Sequence, residues 1–292
     1  MMNGVIVINK PYGKTSHDAV NFIRRLTGIK KVGHTGTLDP IATGVLPICV
    51  GSATKAAELL TASKKAYRAE LVLGMTTDTL DADGEILTEQ PVHCTEEKIK
   101  RVIAGFVGNI KQIPPMYSAI KRDGKKLYEL AREGKTVQRE PREVTIYGIE
   151  IESIDLIQGR VTIYVECSKG TYIRSLCDDV GAALGCGAYM NSLERTKSGD
   201  FDIKDAHTFS ELEKMKEQNT LSDVLIPVDR LFSELKAVKV DERQKSFIIN
   251  GVRVRYRGLS ENESYRVYDL QGNFLCISKC IEERLTLEKS FF

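Results

Sequence analysis

The sequence predicts an α+β protein on three patterns. An apolar strand over residues 4–9 gives way to a capped amphipathic helix, two alternating stretches at 144–154 and 160–167 lie close enough to pair, and short alternating stretches separated by glycines fill the C-terminal part. A chain of 292 residues has room for about two domains of ~150 residues each.

Each element has a local reason. Thr15 and Asp18 have the spacing of a capping box ahead of Ala19, Val20, Phe22, Ile23 and Leu26, which share one helical face up to Gly28. Residues 45–51 read as a buried strand and 53–62 as a helix. Tyr67, Ala69, Leu71 and Leu73 then alternate as the next strand, with Tyr67 at its entry. Thr95, Glu96 and Glu97 open a helix whose Ile99, Val102, Ile103 and Phe106 form one face. Gly170 breaks the strand at 160–167 before a helix running from about Ile173 to Leu184. Stretches around 252–254, 265–267 and 274–277, separated by Gly251, Gly258 and Gly272, fit a small β-barrel-like module over 235–292.

Bulk properties exclude several classes. Net charge is only +2, so any nucleic-acid surface is local. No apolar run approaches the ~20 residues of a membrane span, and the apolar start is cut off at Lys10-Pro11, so a cytoplasmic protein is expected. The seven cysteines are scattered and the four histidines give no zinc spacing near them, so no metal site is expected and the thiols read as reduced. Gly13-Lys14-Thr15 resembles the end of a phosphate-binding loop, but Ile8 stands where its first glycine belongs. Asp81-Ala82-Asp83-Gly84 fails as a calcium loop because its first ligand position is Thr79 and its bidentate position is Gln90, so a turn is expected there.

The stretch from Gly33 to Leu46 holds the most informative carboxylate. Glycines at 33, 36 and 44 suggest close backbone approach and positive φ, while Pro40 pushes Asp39 into an extended or turn conformation. A shaped loop is a common way to present a catalytic group, although an isolated Asp-Pro pair more often closes an Asx-turn.

Gly33-His34-Thr35-Gly36-Thr37-Leu38-Asp39-Pro40-Ile41-Ala42-Thr43-Gly44 resembles the signature of the bacterial tRNA pseudouridine-55 synthases of the TruB type. Residues 9–16, 64–69, 168–176 and 192–196 resemble the family's lysine-proline, tyrosine, arginine and leucine segments, in the family's order, and Thr77-Asp78-Thr79 with Asp81 and Gly84 resembles a further motif. The resemblance implies a mixed, largely antiparallel central sheet flanked by helices over 1–230 and a PUA-type RNA-binding module over 235–292. It makes Asp39 the catalytic carboxylate and Tyr67 the base that removes the C5 proton. Arg174 is the candidate for holding Asp39 ionised and oriented, Tyr67 and Tyr172 for the aromatic floor and side of a base pocket, and Leu193 for its apolar wall. His34 is expected to fill the space that a flipped nucleotide vacates, and Lys10 and Pro11 to shape the floor. No cofactor is expected, because isomerisation needs neither oxidation nor an energy source.

Residues 111–143 carry nine basic against five acidic side chains, with Tyr117 and Tyr128 interleaved. Composition fits a solvated hairpin-helix linker as well as an arm that closes on a polyanion. The resemblance favours the arm, a thumb-like insertion gripping the T-arm of tRNA through residues such as Lys125 and Lys126. A second basic excess, seven against two over 236–257, is expected to add phosphate contacts. The expected partner is the tRNA T-arm stem-loop, bound by a monomer without an obligatory protein partner or membrane. A binding-only tRNA chaperone and a guide-RNA-dependent synthase are the alternatives, and assistance of RNA folding is open as a second activity.

Overall fold

The computed structural model describes residues 2–61, 63–122 and 124–292. The N-terminal apolar run forms β1 (Gly4–Lys10), whose alternation serves two cores at once: Ile6 and Ile8 face one, Val5 and Val7 the other. The capped helix is α1 (Ser16–Thr27), with Thr15 and Asp18 bonded reciprocally and Gly28 closing it in the left-handed conformation, as expected. After it come β2 (Val32–His34), β3 (Thr43–Val50), α2 (Ala57–Thr61) and β4 (Lys65–Leu73). The helix expected over 53–62 is shorter: Gly51–Ala56 form a tight 3₁₀ turn that tucks Ala53 and Ala56 into the second core. Ala62 lies outside the described residues.

A hairpin of β5 (Met75–Thr77) and β6 (Ile86–Glu89) precedes α3 (Glu96–Ala104) and β7 (Gly108–Gln112). Phe106 lies just past α3 yet packs on the same core as Ile99 and Ile103. The basic insertion then forms a minimal hairpin, β8 (Lys121–Arg122) and β9 (Lys125–Lys126), and the one-turn-and-a-half α4 (Leu127–Arg132). Next come β10 (Arg142–Asp155) and β11 (Arg160–Cys167), paired antiparallel, then α5 (Ile173–Leu184), β12 (Ala188–Ser198) and β13 (Phe201–Asp202).

The main sheet runs β1-β3-β12-β4-β11-β10-β7, with β2 added on β3 and β13 on β12. Every neighbour pair is antiparallel except β12 with β3. Helices α1, α3 and α5 and α6 (Phe209–Glu217) cover one face. The other face is covered by residues 228–232 and the C-terminal module.

That module is a five-stranded sheet in the order β14 (Lys236–Val240), β16 (Ser264–Asp269), β17 (Phe274–Ile281), β18 (Arg284–Ser290) and β15 (Val254–Arg255), of PUA-like form. The pattern expected at 252–254 is only the two-residue β15, while β14, β18 and α7 (Glu242–Ile249) complete the module. Phe232, Phe274 and Phe291 pack as tilted rings between it and the main sheet, with ring centroids 5.3–6.4 Å apart. No helix among the described residues is long and apolar enough to cross a membrane.

Candidate active site

Asp39 sits on the irregular segment 35–42 between β2 and β3. Apolar anchors flank it: Leu38, Ile41 and Ala42 are buried in the main core. Polar contacts from four other places fix the backbone between them. Ser16 Oγ accepts from Leu38 N–H at 2.8 Å, Gly13 N–H donates to Pro40 O at 2.9 Å, Lys10 Nζ reaches Pro40 O at 3.4 Å, and Arg195 reaches Gly36 O and Thr37 O at 3.4 Å each. Gly44 follows at φ +100°, where an added Cβ would lie 2.3 Å from Arg195 O, so only glycine lets β3 meet β12 there. Gly33 departs from expectation: it has ordinary strand geometry in β2 with open space around its Cα.

The Asp39 carboxylate is about one-third exposed, and Arg174 Nε lies 3.0 Å from its Oδ2. The contact is an ion pair without aligned hydrogen-bond geometry. Arg174 itself is 4 % exposed, and both of its Nη atoms are engaged: Nη1 meets Asp81 Oδ2 at 3.2 Å and Thr79 O at 3.1 Å, and Nη2 donates to Tyr117 O at 2.8 Å. The bridge between Asp39 and a helix-borne arginine was legible; the second carboxylate was not. Asp81 is the buried partner that holds the guanidinium from behind, and burial raises its acid above the ordinary range despite Arg174 and Thr79 pulling the other way. The turn expected at 81–84 is thus the mount for Arg174.

A cavity of about 240 Å³ opens at this ion pair. Tyr67 from β4, Tyr172 at the start of α5 and Leu193 from β12 line it with Asp39 and Arg174, so five of the residues named from the sequence meet in one place. Tyr172 is set by Gln112, whose buried side chain accepts from its N–H at 2.8 Å and donates to its C=O at 3.0 Å. Burial raises the Tyr67 phenol above its ordinary value, and the guanidinium of Arg195 beside it works in the opposite sense. Arg195 and Gln112 were missed by sequence reasoning; Arg195 is the direct cross-strand partner of Tyr67. Lys65, also in the wall, is pushed down to about 8 by burial, and Lys10 beneath the loop likewise to about 8, with Asp39 opposing the shift.

Three named residues lie elsewhere. His34 is half-buried at the end of β2, away from the cavity lining, its Nδ1 accepting from Gly36 N–H at 3.3 Å and burial lowering its pKa. Lys125 and Lys126 sit on the insertion, Lys125 paired with Glu133 at 3.3 Å and Lys126 Nζ 5.3 Å from the Tyr128 ring centre. A groove of about 740 Å³ connects that insertion to the loop, running past Tyr128, Arg132 and Tyr117 to Asp39 and Arg174.

The family model for the N-terminal domain of TruB family pseudouridylate synthases matches residues 24–173, and that for the tRNA pseudouridylate synthase B C-terminal domain matches 174–233. This chain belongs to the TruB family. The two TruB matches meet inside the site, between Ile173 and Arg174, and together span every cavity-lining residue named above. Among curated TruB relatives, the tRNA pseudouridine synthase B of Clostridium acetobutylicum is 46% identical over 99% of both chains. That of Alkaliphilus oremlandii is 49% identical over 87% of this chain and 83% of its own. The TruB fold also superposes on a chain from the crystal structure of a Cbf5-Nop10-Gar1 complex, with TM-score 0.72 and 28% identity over 99% of this chain and 85% of the other. A chain from an H/ACA RNP bound to a substrate RNA containing 2'-deoxyuridine matches at TM-score 0.71 and 25% identity, over 99% and 85%.

Proposed function

We propose that this protein isomerises uridine to pseudouridine in tRNA, at position 55 of the T-loop, working alone. The observation that carries the reading is the Asp39–Arg174 pair at a cavity walled by Tyr67, Tyr172 and Leu193, in a chain whose 46–49% identical relatives are named tRNA pseudouridine synthase B. The cavity is smaller than the ~300–1,000 Å³ typical of drug-sized sites and suits a single extruded base.

Isomerisation breaks the bond from N1 to C1′, turns the detached base and rejoins it through C5. Asp39 is the catalytic group, attacking C1′ or C6 or taking the C2′ proton, with Arg174 fixing its carboxylate. Tyr67 and Tyr172 hold the base by stacking and Leu193 closes the apolar side. Removal of the C5 proton falls to Tyr67; burial opposes that role and Arg195 favours it. His34, whose imidazolium burial disfavours, stacks in the T-loop, while the insertion with Lys125 and Lys126 and the basic C-terminal module contact phosphates. The greater identity to tRNA pseudouridine synthase B than to the Cbf5 chain supports a stand-alone enzyme over a guide-RNA-dependent one.

Mapping pseudouridine in tRNA transcripts treated with the purified chain tests this reading. Modification confined to position 55, without guide RNA or protein partner, is expected. Modification elsewhere, or only with a guide RNA, would overturn it.

A further inference from the structure

The wall of the cavity holds more positive charge than the protein neutralises. Lys65, Arg174 and Arg195 are buried in it and Lys10 is buried beneath the Asp39 loop, whereas the two carboxylates, Asp39 and Asp81, both pair with Arg174. The two lysines spend their ammonium groups on backbone carbonyls: Lys65 on Thr61 and Ser63 at 2.7 Å each, Lys10 on Pro11, Lys14 and Pro40.

Arg195 is different. It is 1 % exposed, and among the described residues no carboxylate forms an ion pair with it. Its Nε donates to Val45 O at 2.6 Å, but Nη1 and Nη2 reach their carbonyls only at 3.4 Å, the outer limit of a hydrogen bond. A guanidinium cannot shed its proton, so this charge stays buried at a cost unless a negative charge arrives. Two residues along β12 from Leu193, Arg195 points to the same side of the strand and reaches the cavity with it.

We propose that Arg195 takes up the negative charge that leaves with the base. The inference rests on the isomerase reading above. When the N1–C1′ bond breaks, its electron pair stays on the base as a uracil anion, and the electron-poor C1′ is captured by the Asp39 carboxylate or relieved by loss of the C2′ proton. On rejoining, C5 supplies the pair for the new bond to C1′ while the ester bond to Asp39 breaks and frees the carboxylate, or C2′ takes back its proton; the hydrogen on C5 leaves as a proton and N1 gains one. The charge on the base is therefore transient, and loosely engaged N–H donors already in the wall are placed to meet it without reorganising. Backbone phosphates of the RNA carry their charge before and after reaction alike, so a cation serving them would strengthen binding and leave the bound-state rate unchanged.

The test compares T-arm hairpins carrying uridine or 5-fluorouridine at the target position. Fluorine withdraws electrons and stabilises the departing anion itself. Single-turnover disappearance of the target nucleoside is followed under saturating enzyme for wild type, Arg195→Met and Arg195→Lys. Arg195→Met is expected to slow uridine about 10²–10³-fold, the usual effect of losing one preorganised donor, and fluorouridine at least tenfold less. Arg195→Lys, which keeps the cation, should restore part of the uridine rate. The ratio between substrates is read within one preparation, so partial misfolding cancels from it. Equal slowing of both substrates, or weaker RNA binding with an unchanged bound-state rate, would overturn the role of Arg195. A wild type that converts neither hairpin would overturn the isomerase reading itself.

Discussion

Residues 35–42 and residues 111–143 are both departures from the same sheet, yet they are held in opposite ways. The loop carrying Asp39 is pinned by buried Leu38, Ile41 and Ala42 and by side chains from α1, β1 and β12. In the insertion the cations are mostly exposed and answer one another locally. Lys125 and Lys135 share Glu133, and Lys126 and Arg132 flank the Tyr128 ring at 5.3 and 5.4 Å. A group that must meet one atom of a substrate needs a scaffold that cannot move; groups that meet a charged backbone need reach and charge. The groove joining Tyr128 to Asp39 is where the two meet.

Short of removing Asp39 itself, the largest effect should come from cutting the rigid side. Arg174→Met removes the clamp on Asp39 and leaves Asp81, 6 % exposed, without its cation. Turnover should fall about 10²–10³-fold, and stability by about 3–5 kcal/mol in chemical denaturation. Adding Asp81→Asn should recover most of the stability and none of the turnover, which separates the two duties of that arginine. Recovery of turnover as well would show that Arg174 acts only as a structural brace.

A smaller effect is expected from the exposed side. Lys125→Glu with Lys126→Glu should weaken RNA binding about tenfold at moderate salt and flatten the log–log salt dependence by about 1 for each phosphate no longer neutralised. The single-turnover rate at saturating enzyme should change little. Because Lys125 already faces Glu133, Lys126→Glu alone should account for most of the weakening.

The last concerns the buried lysines and pH. Lys65 sheds its proton near 8 when folded but near 10.5 when unfolded, so between those values the unfolded chain binds more protons and rising pH favours the fold. Denaturation at pH 8 and pH 10.5 should therefore show wild type gaining on Lys65→Met by an amount on the order of 2–3 kcal/mol. A constant difference would mean that the Lys65 ammonium loses nothing by burial.

Local signals in the sequence translated well. The Thr15–Asp18 box and the stop at Gly28 mark the first helix almost to the residue, because a cap is satisfied by neighbours along the chain, and the break at Gly170 marks the start of the second just as closely. Asp39, Tyr67, Tyr172, Arg174 and Leu193 were named and converge on one cavity. Asp81, Gln112 and Arg195 were given no role at the site, since each acts across a distance that only the fold closes: Asp81 lies 93 residues from Arg174, Gln112 60 from Tyr172. Arg195 reads as one more cation until β12 is laid beside β4 and its partner proves to be Tyr67. The miss at α7 had a signal, since Asp241 and Gln244 form the same kind of capping box as Thr15 and Asp18. β14 had less, because its partner β16 lies parallel and beyond an intervening helix.

The most direct measurement follows tritium release from a T-arm hairpin whose target uridine is labelled at C5, using the purified chain and an Asp39→Asn control. Release by wild type, with the variant still binding the hairpin but at least ~10⁴-fold slower, is the expected result for a nucleophile or base that touches the reacting atoms. Equal release by the variant would contradict the role of Asp39. No release by wild type despite tight binding would contradict isomerisation by this chain alone.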